Sequence, residues 1–71
     1  MKAPRKKGFW THRAERFHDG GSARARAKAL RMFGPDKIAH VVVSREGDDY
    51  VVRFSIAGWY LNELADAEVV L

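Results

Sequence analysis

A chain of 71 residues has room for one domain, and one so short buries only about 60% of the surface its unfolded form exposes, which limits it to a thin core. Hydrophobic residues at 46% and charged residues at 31% argue against disorder throughout, and with no cysteine a disulfide framework or thiolate zinc site is excluded. The net charge of +4 conceals an asymmetry: residues 1–37 carry eleven Lys/Arg against Glu15, Asp19 and Asp36, whereas residues 38–71 carry Arg45 and Arg53 against six acids.

Such a split favours a polyanionic partner on one side of the molecule, unless the acidic half neutralises the basic half at the surface. Residues 1–8 read as a flexible basic arm, in which Lys2, Arg5, Lys6 and Lys7 repel one another, ahead of a single α+β domain over residues 9–71. The arm has the charge of a secretory leader, but no apolar core follows it. No stretch approaches the roughly 20 apolar residues of a membrane span. A reducing cytoplasm without membrane attachment is the expected setting.

Residues 9–18 begin with the β-favouring Phe9-Trp10-Thr11, although Trp10, Ala14 and Phe17 also share a helical spacing. A strand is favoured, because the segment runs into the turn signal Asp19-Gly20-Gly21. Residues 22–33 predict a helix. Alanine is a strong helix former, so the Ala/basic alternation is not a strand; Ser22 is the expected N-cap, Gly34 the left-handed residue after the end, and Pro35 the stop. Ala23, Ala27, Leu30 and Phe33 share an apolar arc, Arg24, Lys28 and Arg31 form a separate basic stripe, and Arg26 falls within the apolar arc, where it must snorkel to an edge.

Residues 38–57 predict a β-hairpin turning at Gly47-Asp48, with Val43 opposite Val52, Val41 opposite Phe54 and Ala39 opposite Ile56. His40, Val42, Ser44, Val51, Arg53 and Ser55 then occupy the other face. Trp59 to Asp66 reads as a short helix and Val69 to Leu71 as a closing edge strand. The expected fold is a small antiparallel sheet of three or four strands on one main helix, in a β-α-β-β-α-β order that matches the ferredoxin-like arrangement. A plain β-α-β-β sheet, with residues 58–61 prolonging the hairpin, is the alternative. An exposed terminal edge on a thin core makes a homodimer conceivable.

The candidate nucleic-acid or anion site comprises Lys6, Lys7, Arg13, Arg24, Arg26, Lys28 and Arg31. Cations one helical turn apart can follow a row of phosphates; the competing view is a solvated face that maintains solubility. Lys6 to Arg13 interleaves basic and aromatic residues as single-strand binders do, although Trp10 serves equally as a core anchor. Asp19-Gly20-Gly21-Ser22 opens a helix whose early arginines oppose its dipole, which suits an anion but matches no phosphate-loop pattern. His12 and His18 share a strand face at a separation of roughly 20 Å, too far for one metal ion, so neither metal nor cofactor is expected. No serine has a base at a suggestive spacing. His40 and Arg53 lie near each other across the hairpin, an imidazole and a guanidinium of the kind that serve phosphoryl transfer, but nothing else in the sequence supports an enzyme.

Very short, free of cysteine, strongly charged, with one helix against a small antiparallel sheet, the chain resembles small phage- and plasmid-encoded proteins, anti-CRISPR inhibitors among them. The resemblance covers organisation alone. It matches no diagnostic residue and implies only that the basic surface meets a host protein or ribonucleoprotein. The residues themselves offer, as the alternative, a protein-binding inhibitor or adaptor that docks on a host protein complex through the outer hairpin face with Val42 and Arg53, or through the Trp59-Tyr60 patch. The expectation from charge is a non-enzymatic protein contacting nucleic acid or a ribonucleoprotein.

Overall fold

The computed structural model describes residues 9–67. The basic arm with Lys6 and Lys7, and the expected closing strand at 69–71, lie outside them. In chain order the elements are β1 (Trp10–Phe17), α1 (Gly20–Arg31), β2 (Ile38–Glu46), β3 (Asp49–Ala57) and α2 (Gly58–Asp66). They form an α+β arrangement of a three-stranded antiparallel sheet, in the order β1-β3-β2, with two helices. One main helix was expected, but α2 is nine residues long beside the twelve of α1. Because residues 58–66 are helical, they do not prolong the hairpin. No helix among the described residues is long and apolar enough to cross a membrane.

The strand expectation for residues 9–18 holds: β1 pairs with β3 from Trp10 opposite Ala57 to Phe17 opposite Tyr50. Helix α1 starts earlier than expected. Asp19, not Ser22, is the N-cap, and its carboxylate accepts from the Ser22 amide at 2.8 Å and from the Ser22 hydroxyl at 3.2 Å. Both residues are good caps; the two intervening glycines tolerate the extra turn, and a carboxylate suits the positive helix end. The helix ends as Gly34 enters the left-handed region at φ +94, accepting from the Lys37 and Ile38 amides.

The helix carries the chain from one sheet edge to the other, over the central β3. Its buried Ala23, Ala27 and Leu30 pack on Ile38, Val52, Phe54 and Ile56. Alanines bring the helix backbone close to the sheet, and each fully buried large side chain stabilises the fold by roughly 1.5–3 kcal/mol. Phe33, Tyr60 and Leu61 pack on the same cluster, so both helices lie on one face of the sheet.

The hairpin turns at Gly47-Asp48, and Val43 does face Val52. Val41 also packs on the core face as expected, but the register shifts before Ala39 reaches Ile56. Ile38 pairs with Ile56 and Ala39 with Ser55, while His40 and Val41 together oppose Phe54 in a β-bulge. The extra residue reverses the alternation, so Ile38 instead of Ala39 enters the core, where it is buried. Burying the three additional carbons of isoleucine gains about 2 kcal/mol. Against this stands the left-handed backbone of His40, at φ +57, which costs roughly 1–2 kcal/mol. The larger buried side chain offsets the strained residue.

Candidate functional site

Strand alternation and the register define the face that neither helix covers. It is built from Trp10, His12, Ala14 and Arg16 of β1, Val51, Arg53, Ser55 and Ala57 of β3, and Ala39, Val42, Ser44 and Glu46 of β2. Two chemically different zones divide it. At the hairpin end, Arg16 pairs with Glu46 and Asp49 at 3.5 and 3.2 Å, and His18 Nδ1 lies 2.8 Å from Asp49. Arg53 donates to Glu46 and to Ser44 Oγ. The hydrogen bond with His18, followed by that from Arg16, holds the Asp49 carboxyl below the usual carboxylate range.

Farther from the turn the same face opens into a cleft of about 550 Å³, lined by His12, Arg13, Ala14, His40, Arg53, Phe54 and Ser55. Ser55 is 3% exposed, and its Oγ lies 2.8 Å from His12 Nδ1, which fixes the imidazole over the central strand. The bulge places His40 at the opposite rim. No carboxylate lines the cleft.

A second basic region lies on the helical side, where α1 borders β2. Arg24, Lys28 and Arg31 are exposed on the flank of α1 that faces β2, as shown by the Arg31 Nη2 donation to the Val41 carbonyl at 3.2 Å. Arg45 of β2 joins them. Its guanidinium lies 5.9 Å from the Tyr50 ring centre. A Cβ at Gly20 would lie 3.1 Å from Tyr50 Cζ and 3.2 Å from Arg24 Nη1, so both rest over that glycine. Tyr50 therefore neighbours both Arg24 and Arg45, and Arg24, Lys28 and Arg31 follow the flank of α1 that borders β2, with Arg45 on that neighbouring strand. None of them has a carboxylate partner among the described residues.

The residues anticipated for anion binding are thus separated. Arg24, Lys28 and Arg31 remain together. Arg26 points the other way, to β1, where it bonds both oxygens of Glu15. That hydrogen bond, aided by charge attraction and opposed by partial burial, raises the pKa of Arg26 above its ordinary value. Arg13 is exposed on β1, away from the seam. Arg45 was missed because its interest depends on strand order: it lies fourteen positions beyond Arg31, yet it stands on the strand that borders the helix ending at Arg31.

The residues anticipated for protein docking also separate. Val42 and Arg53 are cross-strand partners on the uncovered face, with Val42 54% exposed. Tyr60 lies on the helical side, 5.8 Å from the Phe33 ring and beneath Lys37 Nζ at 5.3 Å, and Trp59 meets it edge-on at 5.8 Å. No family model, curated protein or solved structure matches this chain.

Proposed function

We propose that the protein is a non-catalytic cytoplasmic binding module that contacts nucleic acid through the α1–β2 seam. One contrast carries this reading. Arg16, Arg26 and Arg53 are matched with Glu15, Glu46 and Asp49, whereas Arg24, Lys28, Arg31 and Arg45 stay exposed without a carboxylate partner among the described residues. Arg31 and Lys28 lie in the last turn, where a cation also favours the helix dipole. Arg24 has no such role. Successive cations along α1 stand roughly 5–6 Å apart, a spacing suited to consecutive backbone phosphates. The positive charge of Lys6 and Lys7 adds to the same attraction.

Binding of DNA and RNA oligonucleotides, followed by fluorescence anisotropy across a salt series, tests this function. Four phosphate contacts predict that log K falls against log salt with a slope of about −3 to −4. Replacing Arg24 and Lys28 by alanine lowers affinity for all sequences alike and reduces the slope by about two. Absence of binding at low salt overturns the proposal.

A second reading rests on Val42, an exposed apolar side chain beside Arg53 on the uncovered sheet face. It makes the chain a protein-docking inhibitor or adaptor. A host complex that survives nuclease and is lost with Val42→Asp supports it; recovery of nucleic acid alone removes it.

A further inference from the structure

We propose that the cleft on the uncovered sheet face is a phosphate-binding site for a small phosphorylated ligand. It is distinct from the α1–β2 seam, from which the sheet separates it. Four observations converge. The lining brings together two imidazoles, His12 and His40, with the guanidinium of Arg53 and the hydroxyl of Ser55, and it includes no carboxylate. Such a donor set suits an oxyanion and repels no phosphate oxygen.

His12 is also oriented for this task. With Nδ1 held against Ser55 Oγ, Nε2 is the proton-bearing nitrogen whenever the hydroxyl donates to the ring. In that tautomer the ring presents Nε2–H to an anion. Nε2 has no partner among the described residues. Arg53 uses one N–H on Ser44 and one on Glu46, which leaves three of a guanidinium's five donors.

The third observation is His40 itself. It is the one non-glycine residue at positive φ among the described residues, and it occupies the rim of this cleft. The bulge explains why Ile38 turns inward, but a glycine at position 40 would accommodate the same bulge without strain. Backbone strain of this kind clusters at ligand sites, and here it is carried by a side chain able to hydrogen-bond at the cleft rim.

Size is the fourth. A volume of about 550 Å³ exceeds what a lone phosphate fills and lies in the range of small-molecule sites, so a phosphate ester of mononucleotide size fits better than the free ion. The other charged groups of the face, Arg16, Glu46, Asp49 and His18, bond one another at the hairpin end, and Glu46 reduces the charge that Arg53 offers. The imidazoles therefore supply most of the selectivity.

The test is a titration of the full chain with inorganic phosphate, adenosine monophosphate and a short single-stranded RNA, read on the imidazole resonances by NMR. The ester should shift the His12 and His40 rings and bind more tightly than phosphate. His12→Gln and His40→Gly should each weaken that binding by roughly tenfold or more, the weight of one charge-assisted hydrogen bond. His40→Gly keeps the bulge, so unfolding does not confuse the result. Arg24→Ala with Lys28→Ala should leave ester binding unchanged while weakening RNA, which separates the two proposals. Unmoved imidazole resonances at saturating ester overturn the site. Shifts produced by RNA alone, and removed by the seam variant, assign the cleft to the nucleic-acid path and also overturn it.

Discussion

Glu15 on β1 and Arg26 on α1 meet through two parallel hydrogen bonds, Nε to Oε1 at 2.8 Å and Nη2 to Oε2 at 3.0 Å. Their side chains are only 33% and 26% exposed, beside the alanines that seat the helix. The pair ties the edge strand to α1 on the side away from the basic seam. Removing the carboxylate leaves a half-buried guanidinium without its partner.

Glu15→Ala is therefore expected to destabilise the fold by roughly 1–2 kcal/mol, between the values for exposed and fully buried pairs. For a domain of this size, each kcal/mol lowers the melting temperature by about 4–8 °C. Arg26→Met should cost less, because the arginine's apolar stem is replaced while the carboxylate can reach water. Thermal melts of both single variants and the double variant give the coupling energy. Additive effects would show that the pair contributes no net attraction.

The bulge at His40 and Val41 supplies a second expectation, independent of any ligand. Glycine adopts the φ of +57 freely but enlarges the unfolded ensemble, so His40→Gly should lie between neutral and about 1 kcal/mol more stable. His40→Val places a β-branched residue in the left-handed region and should cost about 2 kcal/mol or more. Urea denaturation measures both. A valine variant as stable as the parent would mean that the strand pairs without the bulge.

Alanine-rich α1, the Gly47-Asp48 turn and the strand at Trp10–Phe17 were legible in the sequence, because local propensity and turn chemistry agree there. The bulge was not. No glycine or proline marks it, and Val41-Val42-Val43 fits either alternation; only Ile38, just outside the regular pattern, hints that the core needed a longer reach. The Asp19 cap competed with an equally suitable Ser22, and local rules do not decide between two good caps three residues apart. His40 and Arg53 were recognisable as hairpin neighbours, but adding His12 and Ser55 required knowing that β3 lies between β1 and β2. Long-range strand order is what a single chain discloses least.

Asp49 gives a pH prediction. Its folded pKa lies below the unfolded value, chiefly through the hydrogen bond with His18 and then that from Arg16. A depressed carboxylate contributes stability above its unfolded pKa, near 3.9, and loses it as pH falls through the lower folded value. Asp49→Asn should thus be less stable than the parent at pH 7, with the gap closing towards pH 2, when urea midpoints are compared at the two pH values. Because the group is at the surface, added salt should shrink the gap as well. A difference that persists unchanged at the acid end would assign the Asp49 contribution to backbone or turn geometry and not to its charge.

Arg16 and Arg24 are both exposed arginines and make a charge-matched comparison for nucleic-acid binding. Arg16 pairs with Glu46 and Asp49, so its positive potential is already offset locally; Arg24 and Arg45 both neighbour Tyr50 and have no carboxylate partner among the described residues, so their like charges reinforce one another. Arg24→Ala should reduce oligonucleotide affinity several-fold at low salt, about one phosphate contact, whereas Arg16→Ala, with the same change in net charge, should alter it much less. Tyr50→Leu should lower affinity as well if the ring holds the two guanidiniums apart, while keeping most of the apolar contact with the core. Anisotropy titrations at one fixed salt concentration compare all three. Equal losses for Arg16→Ala and Arg24→Ala would reduce the interaction to net charge alone and remove the seam as its location.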